Sequence, residues 1–151
     1  MNWSGRLIEL GLVSPPVAAP AGVYLPAVRS GSLVFTAGQL PLVDGVLAAT
    51  GKLGAEIDTE RGHALARICM LNALAAVDAL IGLDAVVRVV KVVGFVASAP
   101  GFTAQPAVIN GASELLGEVF GEAGAHARSA VGVAELPLGA PVEVELVVEV
   151  S

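Results

Sequence analysis

The 151-residue chain has one cysteine, two histidines and only six aromatic rings, from one Trp, one Tyr and four Phe. The lone Cys69 allows no disulfide within the chain, which agrees with a reducing compartment. His63 and His126 lack metal-ligand spacing and paired cysteines are absent, which argues against a zinc site. Neither a Gly-x-Ser-x-Gly elbow nor a Gly-x-x-x-x-Gly-Lys phosphate loop occurs. Charge is also scarce: 15% of residues carry it, eight Lys and Arg against fourteen Asp and Glu. The net charge of −6 has the wrong sign for neutralising nucleic-acid phosphates, so a nucleic-acid partner is not expected.

What the chain has in excess is apolar residues, 55% of the total, with a mean hydropathy of +0.79. Two stretches lack charge for roughly the 20 residues that a membrane helix needs. Between Glu9 and Arg29, however, lie Pro15, Pro16, Pro20 and Pro26, and Val92 to Ser113 is broken by Gly94, Pro100, Gly101 and Pro106. Met1 to Arg6 lacks the basic region and apolar run of a signal peptide. The expectation is a cytoplasmic, single-domain protein (1–151) without a membrane partner, whose surplus apolar surface is buried between subunits.

Hydrophobic periodicity divides the chain. The first thirty residues read as mostly irregular, Ser32 to Ala37 as a strand, and Gly45 to Ala48 as a short strand or loop. Asp58 or Thr59 can cap a helix running to about Ile81, with Gly82 as its stop. Val86 to Val96 is rich in β-branched residues and reads as a long strand. Its Arg88 and Lys91 are an odd number apart, which implies a bulge, an edge position or a face that is not simply core. A second helix is expected from about Thr103 to Phe120, then strands from Arg128 to about Glu135 and from Val142 to Val150. This order predicts an α+β fold, a mixed β-sheet with two helices packed on one face.

On the last strand, Glu143, Glu145, Val147 and Glu149 fall opposite the apolar set. On the penultimate strand, Val131 and Val133 read as core-facing, which leaves Arg128, Ala130, Gly132 and Ala134 on the open face. So bare a row implies close approach of another chain or a ligand, and a large side chain at Gly132 is expected to break assembly. Arg128 reads either as a surface arginine paired with a carboxylate or as a planar fork for a substrate carboxylate. Glu143 is either its solvated partner or a general acid or base. Cys69 reads as a small core residue and His63 as a surface or interface residue.

Gly38-Gln39-Leu40-Pro41, Asn110 on a helix, Ala127-Arg128-Ser129, Leu136-Pro137 and Val142-Glu143-Val144-Glu145 together resemble the reactive intermediate deaminase (RidA, YjgF-like) family, formerly described as endoribonuclease L-PSP. The resemblance covers nearly the whole chain. It implies a chorismate-mutase-like fold, a homotrimer with sites at subunit clefts, and no cofactor or metal. The implied reaction is hydrolysis of reactive 2-imino acids or enamines to 2-keto acids and ammonia. By residue match Arg128 would bind the substrate carboxylate, Glu143 would position the attacking water and Tyr24 would close the pocket from a neighbouring subunit. The backbone around Ser129 and Ala130 would contact substrate and water, and Asn110 matches the family's helix asparagine with one extra residue before the arginine. His126-Ala127-Arg128-Ser129-Ala130 stands where many active members have Pro-Ala-Arg-Ser-Cys, and Gly22-Val23-Tyr24 replaces Gly-Pro-Tyr. Besides a hydrolase, the sequence allows a non-catalytic trimer that binds small carboxylate metabolites, with a ribonuclease third.

Overall fold

The computed structural model describes residues 1–151. Strands β1 (Ala27–Ser30), β2 (Leu33–Thr36), β5 (Val86–Ala97), β6 (Ala127–Val133) and β7 (Val142–Val150) form one sheet in the order β1-β2-β7-β5-β6. Only the β5–β6 pair is parallel. A separate hairpin, β3 (Leu42–Val43) and β4 (Val46–Leu47), turns through Asp44-Gly45, both at positive φ as a tight two-residue hairpin loop requires.

Helices α2 (Thr59–Ile81) and α3 (Gln105–Phe120) cover one face of this sheet. Asp58 caps α2 by accepting the Arg61 N–H at 2.8 Å, and Gly82 ends it at φ 82°. Helix α2 is apolar and long enough to cross a bilayer by composition, yet here it supplies the core between sheet and α3. The two helices meet at Gly111, where a Cβ would collide with the His63 carbonyl. Val144, Leu146, Val148 and Val150 of β7 and Val89, Val92 and Val96 of β5 form the sheet's contribution to that core.

The first thirty residues are more ordered than their proline content suggests. They contain β1 and a third helix, α1 (Trp3–Glu9), held through its apolar side chains. Trp3 donates its indole N–H to the Val86 carbonyl at 2.8 Å and packs edge-on against Phe120, with ring centroids 5.1 Å apart. The irregularity expected in β5 consists of two register shifts, between Val86 and Arg88 and between Val89 and Lys91. They bring Arg88 opposite Glu149 and Lys91 opposite Val147, so both cations lie on the open face of the sheet.

The expected facing of β6 is reversed. Arg128, Ala130 and Gly132 align with Val92, Gly94 and Val96, which face the helices. The small Ala130 and Gly132 leave room for α3 and its approach: a Cβ on Gly132 would lie 2.8 Å from Gln105 Nε2 and 3.0 Å from Ser98 Oγ. Val131 and Val133 point to the open face, where Val131 and Phe35 remain 44% exposed. The bare row therefore lies on the side of the chain's own helix, with Gly132 itself still exposed. Apolar alternation misleads here because the open face is itself apolar, with Val28, Phe35, Val93, Phe95, Val131 and Val147 distributed across it.

Candidate functional site

Arg128 lies near the start of β6, on the helix-facing side of an edge strand. Its Nη1 donates to Ser113 Oγ at 3.1 Å and its Nη2 to the Pro106 carbonyl at 3.2 Å. Pro106, Asn110 and Ser113 are four and three residues apart on α3, so the three form one stripe alongside β6. Three Lys or Arg side chains, Arg6, Lys52 and Arg67, pair with carboxylates in the chain, and Arg128 is not among them. Within one chain Arg128 has no carboxylate partner: two neutral oxygens hold the guanidinium, and three of its five N–H donors remain without these partners.

Glu143 sits elsewhere. It aligns with Phe95 and hence with Val131, on the open face, whereas Arg128 aligns through Val92 with Leu146 on the helix face. Glu143 is therefore not the partner of Arg128 within one chain. Burial, and then the charge of Glu145, raise its carboxyl above the usual value of 4.5. Gly38 accounts for its seating, since a Cβ there would collide with the Glu143 carboxylate. Gln39 then pairs with Val144 by hydrogen bonds in both directions, at 2.8 and 3.0 Å, and the Leu40 carbonyl accepts from Asn72 Nδ2 at 3.1 Å. The Gly-Gln-Leu motif thus makes room for a carboxylate and fixes the loop beside it.

Tyr24 belongs to this second group. It lines a cavity of about 200 Å³ with Pro26, Gly38, Gln39, Leu40 and Leu138, and its hydroxyl accepts the Ala21 N–H at 2.9 Å. Leu138, at φ 62°, holds a left-handed conformation that is uncommon for a branched residue. The sequence-predicted residues therefore divide. Arg128 and Ala130 share the helix-facing side of β6 beside Asn110, whereas Tyr24 and Glu143 gather about Gly38; Ser129 faces the open side with Glu145.

Sequence reasoning passed over Ser113 and gave His126 no role. His126 Nε2 lies 2.9 Å from Ser113 Oγ and its Nδ1 lies 2.6 Å from the Gly124 carbonyl. The available signal was parity: His126 precedes Arg128 by two, and Ser113 follows Pro106 by two helical turns. Cys69 is fully buried, as its core reading requires, with burial holding its thiol well above the usual range. His63 meets Glu114 at the surface at 2.7 Å.

The mixed five-stranded sheet with α2 and α3 on one face is that of a chorismate-mutase-like α+β protein. Residues 4–150 match the family described as "YjgF/chorismate mutase-like, putative endoribonuclease", and the chain belongs to that family. It is 48% identical over 150 residues to Protein TCP17 of Trypanosoma cruzi, covering 98% of this chain and 94% of that one. Among solved structures, protein Atu1372 of Agrobacterium tumefaciens, described as of unknown function, is 44% identical with a TM-score of 0.89 over 98% of this chain and 91% of that one. Escherichia coli TdcF, solved with bound serine, is 26% identical with a TM-score of 0.63 over 91% and 94% of the two chains.

Proposed function

We propose that the protein hydrolyses 2-imino acids or the related enamines to 2-keto acids and ammonia, at clefts between the subunits of a homotrimer. The observation that carries this reading is the Arg128 guanidinium, fixed by Ser113 and Pro106 and without a carboxylate partner. A planar fork held this way suits bidentate capture of a small carboxylate. The bound serine of TdcF, a carboxylate-bearing amino acid in a relative of the same fold, agrees with that ligand class. Net charge of −6 opposes the ribonuclease reading carried by the family's description.

In this reading Arg128 and Asn110 come from one subunit, and Glu143 and Tyr24 from its neighbour. Arg128 holds the substrate carboxylate and so presents the imine carbon. The Glu143 carboxylate takes a proton from water as the oxygen adds to that carbon, while the imine nitrogen gains a proton. Glu143 then returns its proton to the carbinolamine nitrogen, the C–N bond breaks to release ammonia, and the hydroxyl gives its proton to solvent, which supplied the first nitrogen proton, as the 2-keto acid forms. Its raised carboxyl makes Glu143 a stronger base than an ordinary carboxylate and lets it hold the proton it must return. Water is the only co-reactant.

The test generates 2-imino acids in place with an amino-acid oxidase and follows their disappearance across several side-chain sizes. Accelerated loss that Arg128→Ala abolishes and Glu143→Gln reduces supports the hydrolase. Arg128-dependent binding of 2-keto acids without any acceleration replaces it with the carboxylate-binding trimer.

A further inference from the structure

His126, Ser113 and Arg128 form a one-way chain of hydrogen bonds. The Gly124 carbonyl can only accept, so the 2.6 Å contact places a proton on His126 Nδ1. In the neutral ring Nε2 is then an acceptor, and at 2.9 Å it takes the Ser113 hydroxyl proton. The hydroxyl's oxygen is left to receive Arg128 Nη1 at 3.1 Å. Each group has one role: Arg128 donates to Ser113, Ser113 to His126, and His126 to Gly124. The other terminal nitrogen of Arg128 is tied to the Pro106 carbonyl at 3.2 Å, so both ends of the fork are anchored from α3.

The elements bring this chain together for definite reasons. His126 and Arg128 are two residues apart as the backbone enters β6, and both reach toward α3. Ser113 is half-buried between them on the stripe that begins at Pro106. A serine hydroxyl can rotate and could donate to many partners; His126 removes that freedom by claiming its proton.

We infer that Ser113 and His126 are positioning residues of the Arg128 carboxylate site: His126 orients the Ser113 hydroxyl, and the hydroxyl fixes the plane of the guanidinium before a ligand arrives. This inference rests on the proposed carboxylate recognition by Arg128 and deepens it. Preorganising the fork removes ordering that the ligand would otherwise have to impose, so its loss appears as weaker binding.

Calorimetric titration of the intact oligomer with pyruvate and with 2-ketobutyrate tests it. Ser113→Ala should raise Kd about tenfold, the scale of one hydrogen bond to a charged group. Ser113→Thr, which keeps the hydroxyl, should restore affinity to within about threefold. In an Arg128→Ala background Ser113→Ala should change nothing further, because it acts through Arg128. His126→Gln, whose amide reaches the Nε2 position, should retain binding, whereas the shorter His126→Asn should weaken it; this pair decides the matter if Ser113→Ala does not fold. Wild-type binding that Ser113→Ala and His126→Asn leave unchanged overturns the positioning role alone, as does further weakening by Ser113→Ala when Arg128 is already gone. No binding of either 2-keto acid by the wild type overturns carboxylate recognition itself and the positioning role with it.

Discussion

Arg128 and Glu143 stand on opposite faces of one sheet, three residue rows apart along β5, at Val92 and Phe95. A site that uses both must therefore draw them from different chains. In the proposed reaction the active unit is then the oligomer, which mixing defects tests.

Arg128→Ala and Glu143→Gln oligomers should each have little activity, and chains unfolded together and refolded should regain it. Random mixing in trimers leaves roughly a quarter of the clefts with both wild-type groups. Light scattering should give about three times the 15.1 kDa chain mass for all samples. Hybrids as inactive as either parent would place both groups in one chain's site.

The Glu143 carboxyl gives a pH signature. Its value is raised in the folded chain, first by burial and then by Glu145, so the native state binds this proton more tightly than the unfolded chain. The contribution to stability consequently falls as pH rises from about 4.5 through the native value. Glu143→Gln should melt above the wild type at pH 7, with the gain shrinking as pH falls toward 4.5. A gain independent of pH would assign the effect to packing.

The α2–α3 contact has no slack at Gly111. Gly111→Ala should destabilise by about 3 kcal/mol, at the upper end of overpacking costs, because the obstruction is the His63 backbone and cannot rotate away. Thermal melts would show this directly, and an unchanged melting temperature would mean that the helices can separate freely.

Gly132→Ala should be milder, costing about 1 kcal/mol. Its Cβ would meet the end of the Gln105 side chain, which can move at the cost of its bonds to Ser98 Oγ, at 3.1 Å, and the Phe102 carbonyl, at 2.8 Å. The oligomeric mass should not change. Dissociation would restore a subunit contact on this side of β6.

Long elements were legible in the sequence because each carries many repeats of one period. Helix α2 begins at the Asp58 cap and ends before Gly82, and β7 places a core-facing apolar residue at every second position from Val142 to Val150. Helix α1 has only seven residues, and its signal was confined to the Asn2 cap and the Trp3–Leu7 spacing. Strand β6 defeated alternation for a different reason, since both of its faces carry small or apolar residues and neither is fully buried in one chain. The site was legible as residue types, Arg128, Glu143 and Tyr24, but its division was not. Which face a strand residue takes depends on pairing with β5, and that register is a long-range property. Ser113 and His126 carry no motif; they become a pair only when α3 lies against β6.

The two register shifts in β5 also decide where its charges go. They set Arg88 against Glu149 and Lys91 beside Val147 near one end of the open face, while Phe95 and Val131 lie toward the other, with Glu143 alongside. Without the first shift Arg88 would share the helix-facing side with Val86, and without the second Lys91 would fall on the face opposite Arg88, so two inserted valines, Val87 and Val90, keep both charges out of the layer between sheet and helices.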